Sequence, residues 1–278
     1  MTPPIRSALY MPASNPRAIA KARDLPCDAV ILDLEDAVAP DEKARARDAA
    51  VAAARDGGFG ERVLVVRVNA IDTEWGADDL AAVAGAGFAA VLAPKVDGPD
   101  DVRRYAARIG DAELWIMVET CRSVFALEPL AATAGDAALT TFVLGLNDLA
   151  KEMRARLGPG RAPFLPFLAH AVAAARIHGV GVLDGVYNAI DDVEGFAQAC
   201  AQSVEYGCDG RTLIHPSQIA PCNAAFSPDE AEVAHARAIV AAFDLPENRT
   251  RGAVRVGGAM AERLHLAEAQ RTIARAER

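Results

Sequence analysis

Eight short runs of apolar, β-leaning residues recur along this chain of 278 residues, at 7–12, 29–35, 62–69, 89–95, 113–119, 140–146, 180–183 and 211–214. Most are nearly continuous in their apolar character rather than alternating, the pattern of strands covered on both faces. Ala-rich stretches with helical periodicity separate them. In DEKARARDAAVAAARDGG, Asp41 and Glu42 fall in a first turn, and Gly57 and Gly58 mark the stop. Similar patterns cover 15–23, 77–86, 99–109, 123–133, 164–178 and 191–205. Eight β/α alternations predict an α/β fold, a parallel (β/α)8 TIM barrel rather than an open doubly wound sheet. The glycine-rich phosphate loops of a Rossmann or P-loop protein are missing from the sequence. Beyond the last run, helical patterns at 228–243 and 261–277 flank the loop ENRTRGAVRVGG. The expected organisation is a barrel domain over 1–222 and a C-terminal helical extension over 223–278, packed on the barrel or on a neighbouring subunit.

Composition narrows the function classes. Hydrophobic residues make up 52% of the chain but aromatics only 5%, so Ala, Val and Leu must fill the core. A formal net charge of -9 argues against a nucleic-acid partner, which needs a clustered basic surface. Cys27, Cys121, Cys200, Cys208 and Cys222 form an odd set without CxxC spacing, which suggests reduced thiols in a cytoplasmic protein. No run reaches the roughly 18 apolar residues of a membrane helix, and the first residues do not read as a cleaved leader, so a soluble protein with no membrane partner is expected.

Polar residues then become informative by position. In a barrel, the C-terminal ends of the strands face one shared mouth. Tyr10, Asp33, Glu35, Asp36, Arg67, Asn69, Lys95, Glu119, Asn147 and Asp148 all fall at such ends, and this convergence points to a site. The run WIMVE is the sharpest case, because an ionised Glu119 at the rim of a core loses solvation unless something compensates it. Glu119 and Asp148 are expected to end neighbouring strands and offer only hard oxygens, which suits Mg²⁺ or Mn²⁺ and disfavours zinc. The plainer alternative is an ion pair of Glu119 with Arg122 or Arg67. Arg67, a permanent cation in a run that wants burial, would either neutralise Asp33 or Glu35 or stabilise an oxyanion beside the metal.

These stretches also carry a resemblance. SALYMPASNPRAIAKA, AVILDLEDAVAPDEKARAR, VVRVNA, VLAPK, IMVET, GLNDLA and CDGRTLIHPSQI resemble successive blocks of the HpcH/HpaI aldolase and citrate lyase β-subunit superfamily. Within it, the chain is similar to the CitE-like acyl-CoA lyases, over about residues 6–222. The resemblance implies a trimeric or hexameric barrel enzyme that binds Mg²⁺ and cleaves a 3-hydroxyacyl-CoA. It places Glu119 and Asp148 as metal ligands and Arg67 as the arginine that contacts substrate. It also places Tyr10, Arg17 and Lys21 against the coenzyme A moiety. Arg17 and Lys21, spaced i,i+4, would share a helix face suited to phosphates, or simply a solvated one. His215, in IHPSQ, reads as a structural rim residue.

One departure from the family pattern concerns the C-terminus. Where relatives carry G-x-M-I-D, whose Asp crosses to the neighbouring subunit as acid/base, this chain reads GGAMAERLHLAEAQ and offers Glu262. Glu has a similar pKa and one more methylene, so the proton transfer could survive; a first-turn acid on a surface helix would also explain it. The leading expectation is a Mg²⁺-dependent carbon–carbon lyase that cleaves a malyl-, citramalyl- or citryl-CoA-type substrate to acetyl-CoA and a 2-oxo acid. The alternatives are a malyl-CoA-type thioesterase and a citrate lyase β subunit acting within a complex. An aldolase acting on free 2-oxo acids ranks lower, because none of the five His lies at the end of an early strand.

Overall fold

A computed structural model describes residues 5–277. The eight runs become eight parallel strands: β1 (Ser7–Pro12), β2 (Ala29–Asp33), β3 (Val63–Arg67), β4 (Ala90–Ala93), β5 (Glu113–Val118), β6 (Leu139–Leu144), β7 (Gly181–Asp184) and β8 (Gly210–Leu213). They pair in sequence order, and β1 also pairs with β8, so the sheet closes into a barrel. Closure removes both edges of this sheet, so that each barrel strand has a neighbour on either side. Helices α1 (Pro16–Ala22), α2 (Lys43–Asp56), α3 (Gly76–Val83), α4 (Pro99–Ala106), α5 (Cys121–Phe125), α6 (Leu127–Ala131), α7 (Leu146–Met153), α8 (Leu165–His178), α9 (Val193–Glu205) and α10 (Ile219–Ala225) follow the strands. Membership of the (β/α)8 class is therefore as the sequence pattern predicts.

The barrel interior shows why so few aromatics suffice. Ala8, Ala29 and Ala90 meet Ile31, Val65, Leu92, Trp115, Met117, Val143 and Leu183 in one buried cluster. Small side chains on some strands make room for Trp115 and Met117 on β5, so that layers interlock at interior density. Fully burying each large member contributes about 1.5–3 kcal/mol.

Several strands end earlier than the apolar runs suggest: β2 at Asp33, β4 at Ala93 and β6 at Leu144. The last two or so residues of each run leave the ladder to form loops. The single helical pattern at 123–133 divides into α5 and α6 at Ala126, whose φ of -109° is not helical.

The chain forms two compact units, divided after Asn223. The C-terminal unit contains α11 (Glu230–Asp244), an antiparallel hairpin of β9 (Ala253–Val256) and β10 (Ala259–Glu262), and α12 (Arg263–Ala276). The hairpin is a correction to the all-helical reading. Gly257 and Gly258 both take positive φ, 57° and 88°, as a tight two-residue turn requires. Val254 and Ala261, from the two strands, join Ala236, Ile239, Phe243 and Ala269 in a local core. Alternation within AVRV before GG is the signal that marks it. The last helix therefore begins at Arg263 rather than 261.

Among the described residues no helix is long and apolar enough to cross a membrane. All five cysteines are unpaired.

Candidate active site

Side-chain alternation continues from the barrel interior to its mouth. Ala29 and Ile31 of β2 belong to the interior cluster, and two residues on, Asp33 lines a cavity of about 310 Å³. Val65 leads likewise to Arg67, Met117 to Glu119, and Ala8 to Tyr10. Asp148, Asn147, Gly145 and Asn188 complete the part of the wall that concerns the chemistry.

Arg67 and Asp33 are register partners across β3 and β2, and their side chains form a bidentate pair at 2.7 and 2.6 Å. Nη1 of Arg67 lies 3.0 Å from Glu35 and 3.7 Å from Asp36. Its guanidinium also sits 4.9 Å from the Tyr10 ring centroid. Asp33 in turn accepts from the backbone N–H groups of Glu35 and Ala37, which fixes the loop after β2. The neutralising role of Arg67 is thus real, and the same residue faces the cavity. Burial pushes the Glu35 carboxyl up to about 8 against the opposing charge of Arg67, and its Oε2 makes no hydrogen bond. Burial also raises the Tyr10 phenol, which stays neutral, with its hydroxyl donating to the Met117 sulfur at 3.5 Å.

Glu119 is 1% exposed, and its partner is neither Arg122 nor Arg67 but Lys95. The backbone N–H of Lys95 donates to Glu119 Oε1 at 2.9 Å, and its Nζ lies 3.0 Å from the same oxygen. That ammonium also bonds Asp148 Oδ2, so it bridges the two acids. Asp148 stands in the first turn of α7 rather than at a strand end, which corrects the sequence reading. Gly145, between β6 and α7, makes the approach possible: a Cβ there would lie 2.5 Å from Glu119 Cβ and 2.7 Å from its Oε2. Burial raises the Glu119 pKa against the pull of Lys95. At Asp148 burial acts in the same sense, but the hydrogen bond and charge of Lys95 prevail and lower it.

Two hard-oxygen acids gripping one cation are a donor set that fits Mg²⁺ or Mn²⁺, with Lys95 standing where positive charge is wanted. Among the described residues no group of three or more His, Cys, Asp or Glu side chains converges on a metal position. The remaining coordination would fall to water and substrate oxygens, as is usual for Mg²⁺.

Other candidates are placed elsewhere. Arg17 and Lys21 are exposed on α1 and do not line the cavity. Glu262 is exposed at the end of β10, where its backbone N–H donates to His265 Nδ1 at 2.9 Å. Asn69 is structural: it accepts from Lys43 and donates to Leu34 O and Asp79, clamping the loops after β2 and β3. His215 turns back to Ser217 at 2.8 Å, as a rim residue would. Asn188, which exchanges hydrogen bonds with Asn147, carries no sequence signal. A larger hollow of about 780 Å³ lies beside β7 and β8, but its wall arginines, Arg161 and Arg211, are committed to Asp184. The acids and the cation meet in the smaller cavity, and there we place the site.

An acid-rich cavity at the C-terminal mouth of a closed (β/α)8 barrel defines an enzyme-type site. The HpcH/HpaI aldolase/citrate lyase family model matches residues 6–216, and the chain belongs to that family. It is 44% identical over 274 residues to a (3S)-malyl-CoA thioesterase of Cereibacter sphaeroides, covering 99% of this chain and 95% of that protein. It is 31% identical over 304 residues to an L-malyl-CoA/beta-methylmalyl-CoA lyase of the same species, covering 99% and 95%. Among solved structures, CitE of Mycobacterium tuberculosis in complex with magnesium, acetoacetate and coenzyme A matches with a TM-score of 0.83 at 31% identity, over 100% of both chains. The family is thus one of enzymes, lyases and thioesterases, and the likeness favours the hydrolytic alternative over the lyase first expected.

Proposed function

We propose that this protein is a Mg²⁺-dependent thioesterase that hydrolyses a short malyl-CoA-type ester to the free hydroxy acid and coenzyme A. The observation that carries this reading is the 44% likeness, over nearly the whole chain, to a (3S)-malyl-CoA thioesterase. Glu119 and Asp148 would hold Mg²⁺, or Mn²⁺ in its place. When bound, the ion supplies Lewis-acid polarisation of substrate oxygens.

The chain's own residues do the rest. Arg67, buttressed by Asp33 and Glu35 and flanked by the Tyr10 ring, offers a fixed positive charge to the oxyanion that forms at the thioester carbonyl. Its rigidity matters, since a preorganised charge needs no rearrangement during the reaction. Water attacks the carbonyl carbon, the C–S bond breaks, and the sulfur takes up a proton and leaves as the coenzyme A thiol. Glu262, contributed by a neighbouring subunit of a homotrimer, would carry that proton from water to sulfur. Arg17 and Lys21 would meet the coenzyme A phosphates through screened surface charge.

A second reading, carbon–carbon cleavage to acetyl-CoA and a 2-oxo acid, is favoured by the 31% likeness to a malyl-CoA lyase. The isolated cytoplasmic protein incubated with Mg²⁺ and malyl-, citramalyl- and citryl-CoA decides between them. Mass spectrometry should show free hydroxy acid and coenzyme A. Acetyl-CoA with a 2-oxo acid would establish the lyase instead, and inertness toward free CoA esters would point to a subunit of a larger complex.

A further inference from the structure

We propose that Lys95 is a displaceable internal counterion, an ammonium that competes with the divalent cation for Glu119 and Asp148 and so sets how tightly the metal binds. The inference rests on the metal reading above.

Three observations carry it. Lys95 Nζ already bridges both carboxylates, at 3.0 Å from Glu119 Oε1 and in direct contact with Asp148 Oδ2. A divalent cation held by the same two side chains would need the space between them, and two positive charges a few ångströms apart repel strongly in a partly buried site. One must leave. Lys95 is built to be the one, because its side chain is 37% exposed and its charge rides on a four-carbon stem, whereas Glu119 is locked in place.

The backbone is arranged for the same purpose. Lys95 takes the left-handed conformation, with φ of 53°, immediately after Pro94. A residue with a side chain rarely adopts this conformation, and it is retained here where the turn aims both the N–H and the side chain at Glu119. The N–H···Oε1 bond does not depend on the ammonium. When the metal enters, that bond keeps Glu119 oriented while Nζ swings toward the open cavity. There it would become a mobile cation beside the fixed Arg67, available to the carboxylate of the substrate's acyl group.

This device accounts for a site that balances two acids without a metal and still admits one. Without a counterion, the Glu119 and Asp148 carboxylates would stand side by side with no compensating charge. With an irreplaceable counterion, such as a buried bidentate arginine, no metal would enter. A lysine lies between these limits.

The test is Mn²⁺ binding to the full-length protein, read by the loss of the free-ion EPR signal and independent of turnover. Lys95→Met and Lys95→Gln should each bind Mn²⁺ roughly tenfold or more tightly than the wild type, whereas Lys95→Arg should stay close to it or bind more weakly. Equal or weaker binding by both neutral variants, with the wild type binding normally, overturns the counterion role and leaves the metal site standing. No Mn²⁺ binding by the wild type or by either neutral variant, or binding that survives Glu119→Gln, overturns both. A crystal of the wild type soaked in Mg²⁺ reads the displacement without any variant. Nζ withdrawn from both carboxylates supports it, and Nζ still between them overturns it.

Discussion

Two Asp–Arg pairs on neighbouring strands of this barrel have opposite fates. Asp33 of β2 is the register partner of Arg67 of β3, and Asp184 of β7 is the register partner of Arg211 of β8. Ile31 precedes Asp33 by two residues and points into the barrel, so Asp33 emerges at the mouth. Leu183 points into the barrel, so Asp184, its immediate neighbour, turns outward toward α9. There Asp184 meets Arg161 at 2.6 and 2.8 Å, Arg211 at 3.0 Å and the Ser203 hydroxyl. One step along a strand separates a site from a scaffold.

Charge balance differs in the same way. On the flank, two arginines share one saturated aspartate, and Nε and Nη2 of Arg211 have no hydrogen-bond partner among the described residues. At the mouth, the ion pairs join five acids (Asp33, Glu35, Asp36, Glu119 and Asp148) to two cations, Arg67 and Lys95. Excess acid in a cavity calls for an external cation. Excess base behind a helix leaves buried guanidinium nitrogens incompletely bonded and builds no cation site.

The largest effects should separate the two regions. Glu119→Ala should cut turnover on the order of 10³-fold while leaving the fold intact, measured as kcat beside a circular dichroism melt. A variant that turns over substrate like the wild type would remove the mouth from the mechanism. Asp184→Ala should do the reverse. Stranding two buried guanidinium groups costs roughly 3–5 kcal/mol, so the melting temperature should fall markedly while kcat of the folded fraction changes little.

A smaller effect concerns pH. The Glu35 carboxyl is raised from 4.5 to about 8 in the folded chain. Between these values the unfolded chain has lost the proton that the folded chain keeps, so the unfolded state binds fewer protons and stability falls as pH rises. Glu35's contribution is therefore fully present below 4.5 and lost by about pH 8. Glu35→Gln in metal-free protein should flatten that slope in denaturant titrations across the window. An unchanged slope would show that Glu35 is ionised throughout. The smallest expected effect is on the outer face: Arg17→Ala with Lys21→Ala should raise KM for the CoA ester a few-fold, about 1 kcal/mol at most, and less so at high salt. A KM indifferent to both changes would leave α1 a solvated helix.

Much of this was legible before any fold was known. Continuous apolar runs can satisfy their burial only between helices, and eight of them in alternation with helices close into one barrel; that follows from local composition and period. The same runs announced Tyr10, Arg67 and Glu119, because a polar group is conspicuous where everything around it is apolar. Asp184 and Arg211 are equally polar but carry no such mark, since a run covered on both faces does not show which side is inward. The hairpin 253–262 was hidden by its shortness, and Asn188 by its place in a loop.

Burial by period is a property of adjacent residues, so the chain order of the amino acids already specifies strands, helices and the mouth where polar ends collect. Partnership across space is not. That Lys95 rather than Arg122 or Arg67 meets Glu119, and that Gly145 leaves room for Glu119 beside Asp148, depends on a left-handed turn after β4 and on the closeness of three strand ends. Those are distances between segments far apart in the chain, and only the closed barrel sets them.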